Sequence, residues 1–224
     1  MRAFSFCLYG DRDKYCLGMI ENLKIIAEHF PDWFVFIYHA PDVPPHIISR
    51  LQVFSRVLLK PTGVLGPINM IHRFFAIDED AVDVMVVRDA DSRIHARDRW
   101  SICAWMESPK KGHIIRDHPY HSAAIMGGMW GLKKHLLSRT MRSLFDSYKN
   151  QHKNEHGADQ SFLARVIYAL IYQDTLFHAC IRMHQSEFIV PIPFPVENGE
   201  FIGQVVEYPN GLPVPTMEYF LPTS

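Results

Sequence analysis

The chain of 224 residues is long enough to bury one sizeable core, and with 48% hydrophobic and 21% charged residues it has the balance of an ordinary globular domain. A formal charge of -1 excludes a nucleic-acid binder whose affinity rests on a broad basic surface, while leaving room for a local phosphate site. No apolar run approaches the ~20 residues of a membrane span, and the first apolar segment meets charge too soon for a signal peptide.

"AFSFCLY" (3–9) is an apolar run that stops at Gly10-Asp11, a strand followed by a loop. From Tyr15, the residues Cys16, Ile20, Leu23, Ala27 and Phe30 recur at helical spacing, and Pro31-Asp32 ends that helix. "WFVFIYH" (33–39) is the next strand, completing a β-α-β unit. Pro44 and Pro45 open a short helix, "RVLLK" (56–60) is a third strand, and "GPINMIHRFFAID" (66–78) reads as a helix with Pro67 in its first turn. In "VDVMVVRDADSRI" (82–94) a fourth, buried strand runs out into Arg88, Asp89, Asp91, Ser92 and Arg93. A helix over 97–108 and a strand over 113–117 follow, and "AAIMGGMWGLKK" reads as a strand or a tightly turned loop. Helices are expected over 133–149 and 158–173, before an irregular stretch containing "EFIVPIPF". The ending, 206–224, is proline-rich and reads as a linker toward a further domain. Cys7, Cys16, Cys103 and Cys180 form no C-x-x-C pair and no zinc spacing, so they read as reduced, mostly buried thiols of a soluble cytoplasmic protein.

Alternating strands and helices predict an α/β fold with a mostly parallel sheet, whose functional crevice lies beyond the carboxyl ends of the strands. Gly10-Asp11, Asp89-Ala90-Asp91 and Asp117-His118 all fall at such ends. Two aspartates at i and i+2 past a strand can aim at one Mg²⁺ or Mn²⁺, a hard ion that keeps positions open for phosphate oxygens. The competing reading is a polar turn in which Arg88 and Arg93 pair with the carboxylates, and the spacing alone does not choose between them. A haloacid-dehalogenase-like phosphatase also uses Asp-x-Asp after a strand, but normally the first strand, followed by Thr or Val rather than Ser92-Arg93.

Four blocks in order, "FSFCLYGDRDKYCLGMIENLKII", "MIHRFFAIDEDAVDVMVVRDADSRI", "HIIRDHPYHSAAIMGGMWG" and "HGADQSFLARVIY", resemble a GT-A-fold glycosyltransferase over nearly the whole chain. The chain is similar to small soluble enzymes of this kind from bacteria and from large DNA viruses of algae, where they build capsid glycans. The resemblance implies a GT-A (nucleotide-diphospho-sugar transferase) fold in one domain, with a nucleotide-binding half over 1–95 and an acceptor-side half over 96–205. It implies a hexosyltransferase-type enzyme that uses a UDP-sugar donor, a Mn²⁺ or Mg²⁺ ion on the diphosphate, and a glycan or glycoprotein acceptor. It also implies location in the cytoplasm, that of the host for a viral chain.

Carried over by residue, Asp91 matches the aspartate that chelates the metal. Asp89 matches its partner, which touches the donor's ribose or sugar and assists with the ion. Leu8, Tyr9 and Gly10 match the first strand end, where base and ribose pack, and Arg73 matches an arginine near the donor. Gly127 and Gly128 match the loop beneath the donor sugar, and Asp117 matches an acid that binds sugar hydroxyls. Asp159 and Gln160 resemble the Asp-Gln pair on the reactive face of retaining enzymes, which points to retention by front-face attack. His178 is the best match to the third metal ligand, with His184 second. Relatives tend to have His-Asp where this chain has His178-Ala179, and Glu where it has Gln204.

Trp130 is open to two readings, a sugar platform or core. Lys133, Lys134 and His135 read as a solvated helix start, and His152 and His156 as solvated too, because the H-E-x-x-H order is missing. Two other functional classes stand beside the transferase. A sugar-1-phosphate nucleotidyltransferase should carry a glycine-rich loop after strand one, which "YGDRDKYCLG" lacks, and a non-catalytic nucleotide- or carbohydrate-binding module would keep the fold without turnover.

Overall fold

The computed structural model describes residues 1–151, 158–195 and 200–207. The first half runs β1 (Arg2–Leu8), α1 (Asp13–His29), β2 (Phe34–His39), α2 (Pro45–Gln52), β3 (Val57–Pro61), a 3₁₀ helix (Pro67–Asp78) and β4 (Val84–Val87). The second half runs α3 (Ala96–Glu107), β5 (Gly112–Arg116), β6 (Trp130–Lys133), α4 (Met141–Gln151), α5 (Ala158–Phe162), a π-helical turn (Leu163–Ile167) and α6 (Tyr168–Ile171). A 3₁₀ turn (Tyr172–Asp174), β7 (Thr175–Ala179) and β8 (Phe188–Ile189) complete it.

The strands form one sheet in the order β3-β2-β1-β4-β6-β5-β7-β8. Every neighbouring pair is parallel except the two made by β6, which runs antiparallel to both β4 and β5. Side chains alternate across a strand, and here the alternation sorts the core into two layers. Phe4, Phe6, Leu8, Val84 and Val86 pack under α1, α2 and α3 with Ile20, Leu23, Ile47, Leu51 and Trp105. Ala3, Cys7, Met85, Val87, Ile114 and Trp130 face the other way, against the 3₁₀ helix, α4 and the α5–α6 run. This is the expected mixed, mostly parallel sheet between helices. No helix among the described residues is long and apolar enough to cross a membrane.

Several local expectations are corrected. The segment expected as an ordinary helix over 66–78 is a 3₁₀ helix from Pro67 to Asp78. It is tied to β1 through Asn69 O, which accepts from Cys7 Sγ (3.2 Å), and Arg73 O, which accepts from Ser5 Oγ (2.6 Å). The helix expected over 133–149 begins only at Met141. His135 has φ 67, and the Asp78 carboxylate accepts from Met141 N–H (2.7 Å) and Arg142 N–H (2.9 Å), capping the helix from a distant element. The run over 158–173 is helical but carries a π-helical turn in its middle, and β7 emerges from sequence expected to be irregular.

Lys133 and Lys134 are staples rather than a solvated start. Lys133 Nζ donates to Ser108 O (2.9 Å) at the end of α3, and Lys134 Nζ donates to Asp80 O (2.7 Å). Trp130 is wholly buried and meets Phe74 edge to face at 5.4 Å, so it belongs to the core. Of the four thiols, Cys7 and Cys16 are buried while Cys103 and Cys180 are exposed. His152, His156 and residues 208–224 of the tail lie outside the described residues.

The capping role of Asp78 sets an expectation. Asp78→Ala should cost about 1 kcal/mol through the loss of both α4 N–H partners. For a chain of this size that lowers the melting temperature by about 2–4 °C, readable by calorimetry, while Asp78→Asn should lose less.

Candidate active site

The chain runs outward through β1, β2 and β3, then returns to lay β4 on the other side of β1. That reversal opens a crevice between the carboxyl ends of β1 and β4, the usual ligand site of such sheets. Strand alternation decides where the residues leaving β4 point. Val87 faces the 3₁₀ helix, Arg88 the α3 side, and Asp89 the 3₁₀ helix again.

Arg88 is buried with Asp98 of α3, its Nε and Nη2 donating to the two carboxylate oxygens at 2.8 and 2.6 Å. Arg93 donates to Ala90 O (3.2 Å) and Ser92 O (2.9 Å). Of the two arginines in the competing polar-turn reading, Arg88 is taken up by Asp98, and the cation paired with Asp89 is Arg73. Arg73 is 2% exposed, forms a short ion pair with Asp89, and approaches Asp159 Oδ2 at 4.0 Å. Its Nε finds no acceptor among the described residues.

Behind Arg73 lies the glycine loop. A Cβ at Gly127 would collide with the Arg73 guanidinium, and one at Gly128 would collide with the Asp89 carboxylate and its backbone nitrogen. Gln160 Oε1 accepts from Gly127 N–H (3.2 Å) and its Nε2 donates to Ile125 O, so the amide is pinned at both ends. Because β6 runs against its neighbours, the loop before it emerges at the same edge as the ends of β1 and β4. Arg73, Asp89, Gly127, Gly128, Asp159 and Gln160 thus meet in one place.

Beside this cluster lies a cleft of about 230 Å³, lined by Tyr9, Tyr15, Arg73, Asp89, Asp91 and Val205 among others. Tyr9 and Tyr15 stack at its mouth with ring centroids 6.3 Å apart. Gly10, with φ +69, turns the chain away from β1, and Leu8 is buried in the α1 layer. Asn69 braces the strand end, its Nδ2 donating to Leu8 O at 3.0 Å. Burial, and then the charge of Asp89, push the Asp91 carboxyl up to about 6. Burial likewise pushes the Cys7 thiol at the cleft floor up to about 12, so it is no nucleophile.

Residues 200–207 form a strap across this edge. Val205 bridges to Ser92, Val206 N–H donates to Asp91 O (2.8 Å), and Glu207 pairs with Lys14 at 3.0 Å. Upstream, Phe201 stacks on His118 at 4.0 Å and Ile202 N–H donates to Asp117 Oδ2 (3.3 Å). Asp117 is spoken for by that amide and by Arg97 (3.2 Å), apart from the Asp89–Asp91 cleft. Asn69, Lys14, Tyr15 and the strap escaped the sequence reading. For the first three the available signal was position alone: a polar residue inside an apolar helix face, and the first turn after β1.

His178 lies in the sheet, fully buried. Its Nδ1 is 2.8 Å from His113 Nε2 and its ring meets Trp100, so its partners are these residues rather than Asp89 or Asp91. His184 is exposed and bonds Ser186 at 2.6 Å. Among the described residues no three His, Cys, Asp or Glu side chains surround a common point. Asp89 and Asp91 nonetheless fit a Mg²⁺ or Mn²⁺ ion. Such ions are commonly held by one or two carboxylates, with phosphate oxygens and water completing the shell, and a cation would relieve the mutual repulsion that raises Asp91.

The histidine pair makes the fold sensitive to acid. Burial lowers His178 to about 4 and His113 well below the ordinary 6.5. The folded state keeps both rings neutral while the unfolded chain takes up protons, so stability is fully present above about 6.5 and falls as the pH drops toward 4. Urea midpoints measured across that window should decline, and His178→Leu should flatten part of the slope. Separately, Gly128→Ala should disrupt the Asp89–Arg73 pair, seen as a lowered melting temperature in a chain that still unfolds cooperatively.

No family model matches the sequence, and no curated protein matches it. Solved structures do. The glycosyltransferase GlyE of Streptococcus pneumoniae TIGR4 superposes with a TM-score of 0.54 at 17% identity, over 79% of this chain and 44% of that one. The chain thus spans less than half the length of that relative. A glycosyltransferase involved in glycosylation of the major capsid of PBCV-1 matches with a TM-score of 0.53 at 12% identity, over 79% of this chain and 80% of the other. The galactosyltransferase LgtC, solved with donor and acceptor sugar analogs, gives 0.53 at 10% identity, over 79% and 73%. A mannosyltransferase from Pyrobaculum calidifontis, solved with GDP-Man and Mn²⁺, gives 0.51 at 13% identity, over 89% and 59%. What the chain shares with these proteins is their architecture: it has the GT-A fold.

Proposed function

We propose that the protein is a metal-dependent glycosyltransferase that moves a hexose or deoxyhexose from a UDP-sugar to a glycan or glycoprotein acceptor with retention. The observation that carries this is the meeting of Arg73, Asp89, Asp159, Gln160 and the Gly127–Gly128 loop beside the Asp91 cleft, on a GT-A fold.

In this reading the base and ribose lie at Tyr9 and Gly10, and the diphosphate lies toward Asp89 and Asp91, the two residues that would hold a Mn²⁺ or Mg²⁺ ion. Such an ion would supply neutralisation of the diphosphate's charge. Arg73 fixes the Asp89 carboxylate beside the diphosphate. The glycine pair leaves room for the sugar, and Asp159 accepts from its hydroxyls.

Gln160 is a neutral amide already bonded at both ends. It stabilises developing positive charge at the anomeric carbon through a fixed dipole and cannot form a glycosyl intermediate readily. The acceptor hydroxyl attacks from the side the leaving group vacates. As the bond from C1 to the phosphate oxygen breaks and the bond from C1 to the acceptor oxygen forms, the acceptor's proton passes to the departing phosphate.

Donor turnover tests the proposal. With Mn²⁺ and a panel of UDP-sugars, one donor should release UDP, and Asp91→Asn should lower that rate by at least roughly a hundredfold while the circular dichroism spectrum stays unchanged. Saturable UDP binding without sugar release would make the protein a non-catalytic nucleotide-binding module. An inverted anomer in the product's NMR spectrum would remove the front-face mechanism.

A further inference from the structure

At Glu207 the strap carries a charge pair for which the proposed chemistry has no use. Lys14, in the first turn of α1, holds its Nζ 3.0 Å from Glu207 Oε1, with the lysine side chain 18% exposed and the glutamate 47%. The ammonium lies 5.2 Å from the ring centroid of Tyr15, which lines the cleft, and the Asp91 carboxylate is among the charges acting on it. Glu207 is delivered there by backbone contacts to the Asp89–Asp91 turn itself, through Val206 N–H to Asp91 O (2.8 Å) and the Val205–Ser92 bridge.

We infer that Lys14 is a diphosphate-binding residue and that Glu207 holds the phosphate's place, so that donor binding exchanges one anion for the other and frees the end of the strap. The inference rests on reading the cleft as a nucleotide-sugar site. A half-exposed carboxylate on an ammonium is a weak partner, and a phosphate offers the same ammonium a more highly charged one. The charge balance points the same way. Around the cleft Asp89, Asp91 and Asp159 stand against Arg73 and Lys14, so carboxylate is already in excess. Withdrawal of Glu207 removes one more negative charge from the place a diphosphate would take.

A sign test separates this from a purely mechanical fastening, because Lys14→Met and Glu207→Gln break the same ion pair. If the pair only fastens the strap, both substitutions shift UDP affinity in the same direction. If Lys14 binds phosphate, they shift it in opposite directions. Calorimetric titration of the whole chain with UDP and Mg²⁺ should show Lys14→Met weakening binding by roughly tenfold and Glu207→Gln tightening it by roughly threefold. The double variant should behave like Lys14→Met. Lys14→Arg should keep most of the affinity, and uridine should bind all the variants alike. Shifts of the same sign, or Lys14→Met binding UDP as well as the unaltered chain, would overturn the exchange while leaving the glycosyltransferase reading in place. Failure of the unaltered chain to bind UDP with Mg²⁺ would overturn that reading and the exchange together.

Discussion

A guanidinium almost wholly removed from water sits at the edge where β1 and β4 end, and its need for partners organises what surrounds it. Arg73 is 2% exposed, and an ionised group buried to that degree persists only where opposite charge and acceptors are arranged around it. Three separate elements contribute: Asp89 from the exit of β4, Asp159 from α5, and the glycine loop that stays thin enough to let the guanidinium through. Arg73 is in turn tethered to the sheet by the bond from Ser5 to its carbonyl. One cation therefore ties the exit of β4, α5 and the glycine loop to a common point.

Strand geometry makes this possible at little cost. Arg88 and Asp89 are consecutive yet serve opposite layers, one locking α3 through Asp98 and the other completing the Arg73 pair. The antiparallel β6 performs a similar service for topology. In a fully parallel sheet the loop preceding a strand emerges at the far edge, whereas here Gly127 and Gly128 arrive at the edge where β1 and β4 end.

Much of the framework was legible in the sequence because it rests on local patterns. Strands β1 to β5 announce themselves as apolar runs closed by glycine, proline or charge, and the strand-end rule brought Gly10 and Asp89–Asp91 to one edge before any coordinates. What escaped depends on partners far away in sequence. β7 was obscured because Thr175 and His178 interrupt its apolar character, and both are buried through contacts with other elements. The late start of α4 depends on Asp78, more than sixty residues earlier by sequence number. The partner of Asp89 is a different case. Spacing left the choice among nearby arginines open, while the alternation of β4, readable in principle, already places Arg88 on the opposite face. No spacing rule links Val205 to Ser92 or Glu207 to Lys14.

The strand order also governs when the cleft can exist during folding. β1 and β4 are neighbours in the sheet, with Arg2 opposite Val84, so the crevice between them exists only once two strands far apart in sequence have paired. Its remaining walls come later still, from Gly127, Gln160 and the strap. Pairings of such long range close slowly, because the loop entropy is spent before the contacts are gained. The cleft is thus assembled from pairings of long sequence separation and from no single local segment. Its walls are drawn from Tyr9 near one end of the described chain and Val205 near the other, so an intact cleft reports an intact fold.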